Sequence, residues 1–174
     1  MVSRDRRREI ATLLSEAENK KKESGVVQQG LFQPVRLTLF NINQYMQADD
    51  VEGFMDLLRQ THSPIDTWIH DEDENYCTLL MHACEQGAVK IAAALIAAGA
   101  DPQKTDPDGD TAAAYAVDSD ANNVALLNLL REHNVDFNLP NFVKEIVLDR
   151  AREYEDDEIV DYLSHLTHGK APRL

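Results

Sequence analysis

The run Thr78-Leu79-Leu80-Met81-His82-Ala83-Cys84-Glu85-Gln86-Gly87 is echoed 33 positions later by Thr111-Ala112-Ala113-Ala114-Tyr115-Ala116-Val117. Each run opens on a Thr suited to capping a helix and continues with small and apolar residues at helical spacing. A fixed period of this length is the mark of a stacked-repeat architecture and constrains the fold more than any local propensity. Val89 to Ile96 then reads as a second short helix. It is closed by Ala98-Gly99-Ala100-Asp101-Pro102, where Gly supplies a left-handed residue and Pro prevents continuation. The second run is followed in the same way by Val124 to Leu130 and by Asn134-Val135-Asp136. Asn134 stands in the place of Gly99, since Asn also tolerates that backbone conformation. The offset from Gly99 to Asn134 is 35, which puts two extra residues in the turn between Asp118 and Asn123.

These residues resemble the ankyrin-repeat family, whose unit is a turn and two antiparallel helices opened by Gly-x-Thr-Pro-Leu-His-x-Ala-Ala. Thr78, Leu80, Ala83, Gly87 and Gly99-Ala100-Asp101 fit one unit, and Gly109, Thr111, Ala116 and Asp136 fit the next. Tyr76 replaces the turn Gly, Leu79 and Ala112 replace Pro, and Met81 and Ala114 replace His. The resemblance implies an all-α solenoid of paired antiparallel helices. Degenerate units flank the clear pair: Leu39 to Gln47 with Asp49 to Leu58 before it, and Asn141 to Tyr154 with Asp157 to Leu163 after it, each stretch read as one helix. Four units result, at about 36–68, 69–105, 106–138 and 139–167, within a repeat domain of residues 31–174. Weaker, more polar end units suit a stack whose ends face water.

Residues 1–30 form a separate segment. Ile10, Leu13, Leu14 and Ala17 follow helical spacing among many charges, so an additional amphipathic N-terminal helix is expected, with a tether from Val26 to Gly30. Docking on the first repeat as a cap is the structural expectation; binding a partner or a membrane surface is the functional one. Arg6-Arg7-Arg8 is a short basic run of low specificity as a nuclear signal.

Charge bears on partners. The net charge is −14, yet residues 1–30 hold seven Lys/Arg against five Asp/Glu, leaving ten against twenty-six in the rest. An acidic body repels phosphate backbones and anionic headgroups and attracts basic surfaces. Nucleic acid is therefore not expected on the main domain. No apolar stretch is long enough to span a membrane, nothing at the start resembles a secretory signal, and only Cys77 and Cys84 are present. The expectation is a monomeric, soluble protein of a reducing compartment, cytoplasmic, with export into a host cell as the alternative.

Asp106-Pro107-Asp108-Gly109-Asp110 alternates acids like a calcium loop, but Thr111 and Val117 stand where such a loop needs Gly and Glu. Cys77, His82 and Cys84 lack the spacing and the fourth ligand of a zinc site. Phosphate-binding Gly loops and the His-Glu-x-x-His pattern are missing from the sequence. No catalytic residue, metal ligand or cofactor is assigned.

In the ankyrin family the turns and the open positions of each first helix form a concave binding surface. The resemblance carries that role to Trp68, His70, Asp71, Glu72, Asp73, Glu74 and Tyr76 in one turn, to His82, Glu85 and Gln86 on its helix, and to Asp106, Asp108, Asp110, Tyr115 and Asp118 in the next unit. Nine of these are acids and three are aromatic, which suggests a basic protein surface or peptide held by aromatic anchors, Trp68 and Tyr76 first. Each aromatic has a competing role as core packing. The alternative is an inhibitor or immunity-type protein occluding a basic active site; a thiol- or metal-dependent hydrolase is the third class.

Overall fold

The computed structural model describes residues 36–70, 76–119 and 121–167. The N-terminal helix expected in residues 1–30 and the acids Asp71, Glu72, Asp73 and Glu74 lie outside the described residues.

Among the described residues the chain forms eight helices in four consecutive pairs. They are α1 (Leu39–Ala48) and α2 (Val51–Thr61), α3 (Leu79–Glu85) and α4 (Val89–Ala97), α5 (Ala112–Asp118) and α6 (Asn123–Glu132), and α7 (Val147–Glu153) and α8 (Asp157–Thr167). A turn of a few residues folds the second helix of each pair back on the first. Helices α3, α5 and α7 pack in one row and α2, α4, α6 and α8 in another. Two strands, β1 (Trp68–His70) and β2 (Tyr76–Thr78), pair antiparallel with Ile69 opposite Cys77. The next unit repeats this pairing as the single bridge Thr105 to Thr111.

Local chemistry explains the element ends. Thr38, Asp50 and Thr78 cap α1, α2 and α3 by accepting from the backbone N–H three residues on. Thr111 takes the same N-cap place before α5 but makes no side-chain cap bond, so the capping role expected of it is positional only. Helix ends close on left-handed residues: Gly99 at φ 99°, Asn134 at φ 60° and His62 at φ 51°. The following N–H donates to a carbonyl of the last turn in each case, Ala100 to Leu95, Val135 to Leu130 and Ser63 to Leu58. Asn134 is thus the backbone equivalent of Gly99, as its offset implied.

The segment from Asn141 departs from expectation. It is not one helix to Tyr154: Asn141 to Ile146 is a turn, and α7 begins at Val147. Asn141 Oδ1 accepts from the N–H groups of Val143 and Glu145, at 3.1 and 3.0 Å, and its own N–H donates to the Glu145 carbonyl. Asp106 does the same with Asp108 and Asp110, 35 residues earlier. An Asx side chain that satisfies two backbone donors competes with helix and wins here.

The core is one continuous cluster running through all four pairs, from Ile42, Met46 and Phe54 through Leu80, Ile91, Leu95, Leu126 and Leu130 to Leu148 and Leu163. Each fully buried large side chain contributes roughly 1.5–3 kcal/mol of transfer free energy. Helices α3 and α5 pack against each other, and both bury small residues, Ala83 and Cys84 on one and Ala112, Ala113 and Ala116 on the other, which suits a close approach within the inner row.

Polar bonds fix one pair to the next. Asp49 accepts from the N–H groups of Lys90 and Ile91, capping α4 from the preceding pair where its own N-cap, Ala88, has no side chain to do so. Asn122 donates to the Gly87 carbonyl, and Tyr162 donates to Asn128 at 2.8 Å. The lengthened turn after Asp118 leans over Gly87, which sits at φ +69° and would place a Cβ 2.8 Å from the Ala121 carbonyl oxygen. Gly87→Ala is therefore expected to cost about 1–3 kcal/mol, from the left-handed backbone and the clash with main chain. Urea unfolding followed by far-ultraviolet circular dichroism checks it; an unchanged midpoint would show that the turn yields freely.

Candidate functional site

The open side of the α3–α5–α7 row, with the β1–β2 pair beside it, lines a groove of about 400 Å³. Its walls include His70, Tyr76, His82, Glu85, Asp106, Asp108, Asp110, Tyr115 and Asp118, so the fold gathers these nine of the expected site residues in one place. Leu39, Ile69, Cys77, Pro107 and Arg150 complete it. Trp68 and Gln86 are not in its lining. Trp68 lines an adjoining depression with Leu37, Pro64 and Thr67, and its ring lies 5.0 Å from the Lys104 ammonium. Gln86 ends α3, exposed.

The inner helices present one residue per unit along the groove floor, at offsets of 33 and 35: His82, Tyr115 and Arg150. Each is engaged. His82, buried to 6% exposure, contacts Asn43 through Nε2 at 2.6 Å and Glu85 through Nδ1 at 3.0 Å, which ties α3 to α1. Tyr115 donates its hydroxyl to Asp106 at 2.8 Å. Burial, then the hydrogen bond to the Asp106 carboxylate, push this phenol above its ordinary ionisation range. Tyr115 leans on the turn of its own unit and is half-buried, between the binding and the core-packing roles open to it.

Arg150 is the residue that the repeat reasoning missed. Its guanidinium donates to Asp110 at 2.6 Å, Asp118 at 3.1 Å and Glu145 at 3.4 Å, with its own side chain only 19% exposed. Burial disfavours the charge, but Asp118, Asp110 and Glu145 together more than offset that, leaving Arg150 more firmly protonated than a free arginine. Burial raises the Asp118 carboxyl, against the opposing pull of Arg150. The Asp118 charge in turn raises the Tyr154 phenol, which is hydrogen-bonded to it.

The acidity of this face is accordingly uneven. Asp106 is 8% exposed and its oxygens are taken by the Asp108 and Asp110 N–H groups and the Tyr115 hydroxyl, so it shapes the turn and offers no surface charge. Asp110 also accepts from Asn141, besides Arg150. Asp108 is exposed, Glu85 is 44% exposed along its side chain, and Tyr76 is 45% exposed beside His70, with ring centroids 5.4 Å apart. Asp108 and the Tyr76 ring are therefore open on the groove, Glu85 is partly exposed while engaged by His82, and Asp110 and Asp118 are neutralised by Arg150.

Such a surface can hold a cation against carboxylates and stack its stem on an aromatic ring. The thiol of Cys84 is fully buried and is pushed up to about 12 by desolvation, so it packs as a small apolar residue. Among the described residues, no cluster of three or more His, Cys, Asp or Glu is placed to hold a metal ion. No helix among them is long and apolar enough to cross a membrane.

The family profile described as ankyrin repeats (3 copies) matches residues 46–141. No curated protein matches the chain.

Proposed function

Because the chain belongs to the ankyrin-repeat family, whose repeats serve as protein–protein interaction modules, we propose that it binds a basic segment of another protein in the groove beside β1 and β2. The observation that carries this reading is the exposed part of the groove: Tyr76 exposed at its edge, Asp108 exposed to solvent, and Glu85 partly exposed while it engages His82. A lysine or arginine of the partner would lie along the Tyr76 ring and meet the exposed Asp108 carboxylate. Asp110 and Asp118, neutralised by Arg150, supply shape in place of charge.

This reading ranks the aromatic anchors. Tyr76 lines the groove, whereas Trp68 faces the neighbouring depression under Lys104. Anchors at a partly desolvated centre contribute on the order of 2 kcal/mol or more. Tyr76→Ala is expected to weaken partner capture by roughly thirtyfold by that measure, and Trp68→Ala by less, with helical content unchanged in both. Affinity capture with quantitative mass spectrometry, followed by titration of the recovered partner at two salt concentrations, tests it. Equal loss from both substitutions would move the site to the strand face, and a partner without a basic surface would end the proposal.

A further inference from the structure

Among the exposed apolar side chains outside the groove, Phe142 at 75% and Val143 at 80% exposure are adjacent in the chain. They are not on a loose loop. Asn141 Oδ1 holds the N–H of Val143, Lys144 closes the turn at φ 68°, and the Phe142 N–H donates to the Asp108 carbonyl at 2.9 Å. Phe142 also packs over Gly109, where a Cβ would come within 3.0 Å of its ring edge. The turn of the fourth unit is thus latched to the turn of the third, at the residue whose carboxylate is open on the groove.

We infer that Phe142 and Val143 extend the groove into a composite surface, and that the segment it accepts is amphipathic: basic residues with a large apolar side chain beside them. The inference rests on the basic-partner reading above and specifies it. Two arguments set the occupant. The backbone bond to Asp108, a groove residue, sets the apolar pair beside that exposed carboxylate, so charge complementarity places the partner's cation on that side, away from exposed Lys144. The latched turn holds both side chains in place before binding, which lowers the ordering cost that a mobile loop would carry.

The test uses the full chain and two labelled twelve-residue peptides in fluorescence anisotropy at low salt. One alternates Lys or Arg with Ser; the other has two of its Ser replaced by Leu. The wild-type chain should bind the Leu-containing peptide about tenfold or more tightly than the other. Phe142→Ser with Val143→Ser should erase that advantage and leave the Ser peptide unaffected, while Asp108→Asn should weaken both. Val143→Ser alone, which leaves the Phe142 packing on Gly109 intact, keeps the test valid if the double variant melts early. Equal binding of the two peptides, or an advantage that survives the substitutions, overturns this inference and leaves the basic-partner reading standing. Failure of both peptides to bind overturns both. A dimer in sedimentation velocity that the double variant dissociates would assign the patch to a second copy and overturn the inference as well.

Discussion

Arg150→Ala is expected to lower the unfolding free energy by about 2–4 kcal/mol, less than the loss of one member of a fully buried ion pair because this ionic cluster is only partly buried. Asp110, Asp118 and Glu145 converge on this one guanidinium, with side chains 14%, 28% and 21% exposed. Without it they face one another in a poorly hydrated site. The sign of the pH dependence follows from Asp118, whose carboxyl burial already raises even with Arg150 opposing. A carboxyl raised on folding contributes stability below its ordinary range and loses it as pH rises through the folded value. Removing the opposing cation widens that window, so the variant's deficit should be small in acid and grow toward neutral pH. Urea titrations of wild type and variant at several pH values measure this. A deficit that is the same at every pH would mean lost packing of the Arg150 stem and not stranded charge. Arg150→Lys should recover only part of the loss, because an ammonium cannot serve three carboxylates in one plane as the fork does.

Phe54→Ala should cost a comparable amount, roughly 3–5 kcal/mol, by opening a cavity in the first pair. Phe54 is fully buried on α2 in the same cluster as Ile42, Met46 and Leu58. Beyond magnitude, the experiment asks how the stack shares stability. Stacked repeats contribute by unit and by neighbour interface, so loss of the first pair's core weakens the contact of α2 with α4 and the Asp49 cap on α4. Hydrogen exchange should therefore rise in α1 to α4 and leave α7 and α8 nearly untouched. Uniform loss of protection from α1 to α8 would show that the four pairs unfold as a single cooperative block.

The legible parts of this molecule share a cause. Thr78 as a cap, Gly99 and Asn134 as left-handed stops, and the alternation of short apolar helices are all properties of residues within a few positions of one another, and the 33-residue echo multiplies the signal. The turn from Asn141, where a helix was expected, belongs to the same echo. At an offset of 35, Asn141 and Glu145 fall on Asp106 and Asp110, and the turn chemistry of one predicts that of the other. That offset also places Arg150 in the column of Tyr115 and His82, and the repeat spacing alone carries it onto the groove.

Residue order by itself determined the repeated helix pairs and the local cap and stops at Thr78, Gly99 and Asn134, because backbone hydrogen bonding and apolar periodicity are set by near neighbours. Tertiary structure alone decided which polar groups remain open. Asp106, Asp108, Asp110 and Asp118 look alike as a run of acids, yet one is buried under a tyrosine, two are held by an arginine from the next unit, and Asp108 is left exposed to solvent. Burial and pairing depend on side chains brought within a few ångströms across 30 to 40 positions of chain, and only the packed stack brings them there.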